Sequence, residues 1–119
     1  MKLFAALIPA VALAGCATGP KPIYEWGSYQ PSLLKYTKSA DAAEFEKELL
    51  ETIEKGEKDG KVPPGVYAEL GYLLMANQRA SEAVIWFKKE RDAFPESAVL
   101  MNKMVAGAEA ATQGENNAS

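Results

Sequence analysis

The spacing of apolar side chains divides most of this chain into short helices. Tyr29, Leu33 and Tyr36 recur at i, i+4 and i+7, one face of a helix, with Pro31 near the first turn, where its missing N–H costs nothing. Asp41 followed three residues later by Glu44 has the form of a capping box, and Phe45, Leu49 and Ile53 then share the stripe of a second helix running to about Lys58. Asp59-Gly60 and Pro63-Pro64-Gly65 interrupt the pattern before Tyr67, Leu70 and Leu74 restart it in a third helix ending near Asn77. Ala83, Phe87 and Phe94, with Ile85 and Trp86, predict a fourth, which Pro95 terminates. A fifth, led by Pro95-Glu96, carries Val99 or Leu100, Lys103-Met104 and Gly107. No segment alternates with period two, so strands are not expected. The predicted fold is all-α, about five helices in antiparallel hairpins, over residues 24–112. Gly114 to Ser119 is polar and aperiodic, and residues 113–119 read as a disordered tail.

Within residues 64–97 the spacing becomes more specific. Tyr67, Leu70-Gly71, Leu74, Ala83, Phe87 and Pro95 fall at the aromatic, Leu-Gly, large apolar, Ala, Phe and Pro positions of a tetratricopeptide repeat of ~34 residues. An ordinary helical hairpin is the plainer alternative. In the repeat reading, Gly71 and Ala83 are small so that the two helices approach closely, and Tyr67 and Phe87 fill the wedge between them. Glu90 departs from the pattern, which has a small apolar residue there, and predicts a looser contact with the following helix. A single frame is too little for an independent array, so the flanking helices are expected to act as caps or degenerate partners. The resemblance further implies a concave side formed by the third helix, presenting Ala68, Tyr72, Met75 and Ala76. Ala68 and Tyr72 stand where some repeats carry the Lys and Asn that clamp a peptide carboxylate. The expected ligand is therefore an apolar or aromatic segment of a partner. Tyr24, Trp26 and Tyr29 lie close enough in sequence to join that surface or cover it. With Tyr36 they form an aromatic cluster that reads first as the packing of the first helix onto the core, with a partner hot spot or a membrane-interface belt as the alternatives.

The amino terminus carries a different signal. Met1 and Lys2 precede an apolar run from Leu3 to Ala14, broken only by Pro9. That is the pattern of an export signal, too short for the ~20 residues of a membrane-spanning helix. Leu13-Ala14-Gly15-Cys16 resembles the lipobox of bacterial lipoproteins. The resemblance implies removal of residues 1–15, a diacylglyceryl thioether on Cys16, and acylation of the new amine. Three acyl chains would hold the protein on a membrane without spanning it. Ala17, where Asp would signal inner-membrane retention, implies the outer membrane, with the domain facing the periplasm. Residues 16–23, with Gly19, Pro20 and Pro22, read as an acylated tether.

Composition narrows the chemistry. The 119-residue chain has no His and one Cys, so zinc sites and His-based triads cannot be assembled from it. Its formal charge of -3 lacks the basic footprint of a nucleic-acid binder. Glu44, Glu48 and Glu51 lie near one helical face, but Lys47, Lys55 and Lys58 are interleaved with them, the pattern of a solvated face rather than a cation site. No cofactor, metal or catalytic residue is expected.

The lipobox, Tyr24-Glu25-Trp26-Gly27-Ser28-Tyr29, the stretch from Pro63 to Tyr72, and Phe94-Pro95-Glu96-Ser97 together resemble a family of small bacterial lipoproteins of unassigned function with tetratricopeptide-like helices. The resemblance runs from about Tyr24 to Met104. Members of that family are often encoded beside a lipoprotein similar to the curli-secretion pore subunit, which implies a shared envelope assembly. The function expected on these grounds is a non-catalytic adaptor or assembly factor for another envelope protein or lipoprotein. The alternative is an accessory regulator of a periplasmic enzyme such as a peptidoglycan synthase.

Overall fold

The computed structural model describes residues 23–117. Residues 1–22, on which the expected signal peptide, the acylation of Cys16 and the tether fall, lie outside the described residues, as do residues 118–119. Within that range the chain forms five helices: α1 (Tyr29–Ser39), α2 (Ala42–Asp59), α3 (Val66–Ala76), α4 (Ala80–Ala93) and α5 (Ala98–Asn117). A single 3-10 turn, Pro95–Ser97, joins α4 to α5, and there is no strand among the described residues. The fold is all-α, as the spacing predicts, and every extensive helix contact is between chain neighbours.

The helix ends have local causes. Asp41 accepts the N–H of Glu44 at 3.1 Å, so one half of the capping box forms. The Glu44 carboxylate itself turns away to Lys35 Nζ, 2.5 Å distant. Gly60 closes α2 in the left-handed conformation (φ 66°), and its N–H reaches the carbonyls of Glu57 and Gly56. Phe94 caps α4 immediately before Pro95, which opens the 3-10 turn.

Phe45, Leu49 and Ile53 of α2, Val66, Leu70 and Leu74 of α3, Ala83 and Phe87 of α4, and Met101, Val105 and Ala108 of α5 form one buried cluster. Full burial of each large side chain contributes ~1.5–3 kcal/mol before conformational entropy is set against it. The closest approach across the α3–α4 hairpin differs from the expected one. Gly71 faces the ring of Phe87, whose Cε1 would lie 2.5 Å from a Cβ at that position, so the space Gly71 leaves is filled by Phe87 rather than shared with Ala83. Tyr67 of α3 stacks on Trp86 of α4, with centroids 6.1 Å apart.

Three further expectations are corrected. Glu90 does not loosen the stack. It is buried, with Oε1 accepting the Gly65 N–H at 2.7 Å, and so ties the end of α4 to the beginning of α3. The following helix packs on α4 as extensively as α3 does, lying antiparallel to it with Arg91 on Asn102 and Lys88 on Glu109. The apolar face of α5 is Met101, Val105 and Ala108, while Val99 and Leu100 point outward, because the 3-10 turn resets the phase before α5 begins. Finally, α5 continues through residues 113–117, where a disordered tail was expected. Thr112 and Gln113 line an open cleft with Ser81 and Val84 of α4, and adding a turn to an existing helix costs little even for polar residues.

Candidate functional site

Seven of the eleven residues of α3 are buried: Val66, Tyr67, Ala68, Leu70, Gly71, Leu73 and Leu74. The helix is enclosed by α2 on one side and α4 on another, which leaves a narrow outward stripe of Glu69, Tyr72, Met75 and Ala76. Tyr72 is 38% exposed and rests edge-on against buried Phe87, with centroids 5.3 Å apart at 65°. Its ring is therefore held from beneath while one side faces solvent. Met75 is half-buried at the edge of the stripe, and Ala76 is exposed.

The residues expected to form one surface do not all meet. Tyr72, Met75 and Ala76 do, but Ala68 is only 6% exposed and belongs to the core, because α3 is covered on two sides and a residue in its first turn falls beneath that cover. Trp26 and Tyr29 pair at 5.5 Å, and Tyr29 and Tyr36 lie at 6.5 Å and 4.7 Å from the buried ring of Phe45. Of the readings open for the aromatic cluster, these three rings take the one in which they pack the first helix onto the core. Tyr24 stands apart, in a cleft beside Glu57, Tyr67 and Phe94. The segment between is fixed to the end of α2: the Glu25 N–H donates to the Lys61 carbonyl at 2.8 Å, and the Glu25 carboxylate pairs with Lys55 at 3.2 Å. Glu51, one turn before Lys55, pairs with Lys47 at 3.9 Å.

Glu69 is the member of the stripe that spacing did not single out. Burial pushes its carboxyl above the usual carboxylate range. The Tyr29 phenol is raised as well, first by burial and then by the charge of Glu69. The face is thus apolar at Tyr72, Met75 and Ala76, with one half-buried acid toward the amino end of the helix. The signal that could have found Glu69 is its i, i+3, i+7 relation to Tyr72 and Ala76. The three carboxylates of the α2 face go to different partners, Glu44 to Lys35, Glu48 to the Ser28 hydroxyl, and Glu51 to Lys47. No helix among the described residues is long and apolar enough to cross a membrane.

Residues 23–104 match a family model described as a domain of unknown function, DUF4810, which covers α1 to α4 and the first turns of α5. No curated protein and no solved structure matches the chain.

Proposed function

The chain belongs to the DUF4810 family, and on that premise we propose that it is a non-catalytic helical adaptor. It is anchored to the outer membrane through acylated Cys16, faces the periplasm, and uses the outward stripe of α3 to dock another envelope protein or lipoprotein. A lipoprotein similar to the curli-secretion pore subunit is the first partner to test, on the family resemblance of the sequence. The observation that carries this reading is Tyr72, an aromatic side chain half open to solvent on a helix whose other faces are fully packed. Binding hot spots favour such residues, because a ring already held by its neighbours loses little freedom when a partner covers it. The tetratricopeptide-like hairpin supplies the scaffold, with Gly71 and Phe87 fixing the helix that presents the stripe.

The test is crosslinking followed by capture from membranes. Replacing Tyr72→Ala together with Met75→Ala should reduce partner recovery by at least about tenfold with helix content unchanged, since each side chain stands on a preformed surface. Undiminished capture would move the interface elsewhere. The anchor is tested separately: Cys16→Ser should abolish lipid labelling and release the protein from membranes, and unchanged mass and membrane retention would refute the lipoprotein reading.

A further inference from the structure

A second feature lies away from the α3 stripe. The last turn of α2, the turn leading to α3 and the end of α4 enclose an open cleft of about 380 Å³, toward the lower end of the ~300–1,000 Å³ of small-ligand sites. Its lining includes three aromatic rings, Tyr24, Tyr67 and Phe94, together with Val62 and the carboxylate of Glu57. Tyr24 and Phe94 are only half-buried, so their rings remain available. Glu57 is held in place from one side. Its Oε1 accepts both the Tyr67 hydroxyl and Lys89 Nζ at 2.9 Å, and Lys89 in turn sits 4.9 Å from the Trp86 ring centroid. Among the described residues, Oε2 has no partner. The hydrogen bond from Lys89, aided by that from Tyr67 and opposed by partial burial, holds the carboxyl below its usual range, so it is ionised at neutral pH.

We propose that this cleft binds an arginine side chain of a partner polypeptide. Three features favour a planar cation with an apolar stem. Tyr67 is buried and already carries Lys89 on its ring, but the faces of Tyr24 and Phe94 can accept a guanidinium by stacking and cover its methylene chain. The free oxygen of Glu57 offers a charge-assisted acceptor. The cleft also opens at the carbonyl end of α2, where the helix dipole favours positive charge. An acidic side chain would be repelled by Glu57, and a purely apolar one would cover Oε2 without offering it a donor, Lys89 and Tyr67 both being engaged on Oε1. The nearest fixed cation, Lys89, approaches Glu57 through Oε1, which leaves Oε2 to the incoming group. The cleft is separate from the α3 stripe, and a short arginine peptide can reach it without any envelope partner.

The test is an NMR titration of the full chain with the blocked tripeptide acetyl-Gly-Arg-Gly-amide, following the amides of Gly56, Glu57, Gly60 and Val62. The same peptide carrying citrulline, neutral and nearly isosteric with arginine, is the control. Saturable shifts at these amides are expected, with the citrulline peptide weaker by about tenfold or more, since it lacks the charge-assisted bond. Glu57→Gln should remove that preference. Because Glu57 also contacts Tyr67 and Lys89, Tyr24→Ala provides a second variant at the edge of the fold, and it should weaken binding by about two- to fivefold through loss of one aromatic wall. Equal binding of both peptides, an undiminished preference in Glu57→Gln, or shifts confined to Tyr72 and Met75 would each overturn the assignment.

Discussion

The middle and the amino-terminal end of this helical stack are held by different kinds of contact. At α3–α4, Phe87 and Ala83 have no exposed surface and the Phe87 ring fills the space left by Gly71, so the interface is shape-matched and dry. At α1–α2, none of the described side chains of α1 is buried. That helix is held by the rings of Tyr29 and Tyr36 lying on Phe45 and by surface links, Lys35 to Glu44 and Ser28 to Glu48. Exposed ion pairs contribute little, because water and salt screen them and two flexible side chains must be ordered. The difference teaches that the candidate docking face rests on the tightly packed unit, whereas the amino-terminal aromatics belong to a less buried cover, expected to open before the rest unfolds.

The largest effect is expected where packing is tightest. Phe87→Ala should cost ~3–5 kcal/mol in denaturant unfolding, because a fully buried ring leaves a cavity on both α3 and α4. Gly71→Ala should cost ~1–3 kcal/mol by overpacking, and combining it with Phe87→Leu should recover part of that loss, since one clash underlies it. If either single variant unfolds like the parent, the shape-matched account of the hairpin fails. At the other end, Tyr36→Ala should cost only about 1 kcal/mol, through loss of one stacked, half-buried ring. That loss should appear as increased amide exchange in α1 with little change at α3. A global destabilisation as large as that of Phe87→Ala would erase the contrast.

A smaller effect lies at the link between α4 and α3. Burial raises the Glu90 carboxyl above the usual carboxylate range, against the pull of the backbone N–H groups of Gly65, Ala68 and Tyr67, and Glu69 is raised by burial too. A carboxyl whose pKa is higher in the folded state binds protons more tightly there. Its contribution is therefore most favourable below the unfolded value and declines as pH rises through the folded value. Unfolding free energy should fall modestly across that interval, and Glu90→Gln should flatten the decline while keeping an acceptor for the Gly65 N–H. Stability that instead rises across that interval because of Glu90 would reverse the assigned shift.

Local signals in the sequence read well. Asp41 as a cap, Pro95 as a stop and the Phe45-Leu49-Ile53 stripe depend on residues within a turn or two of one another, and the structure places them as their spacing predicts. The buried Ala83 and Phe87 were legible for the same reason. The misses are long-range. Which residue meets Gly71 depends on how α4 is rotated, and the role of Glu90 depends on a bond to Gly65, 25 positions away. Ala68 was assigned to the open face because helical period identifies a side of α3 without identifying what covers it. The cleft around Glu57 joins Tyr24, Tyr67 and Phe94 from three separate segments, and no spacing rule would unite them.

Native-state hydrogen exchange tests most directly the claim that a stiff hairpin carries the docking face. Amides of Leu70, Gly71, Leu74, Ala83 and Phe87 should exchange only through global unfolding, at a free energy that falls with denaturant as the whole domain's does. Those of Leu33 and Tyr36 should open locally at ~2 kcal/mol or more below that level, with little denaturant dependence. Protection in α1 equal to that of Phe87, or opening of α3 before α1, would contradict the account.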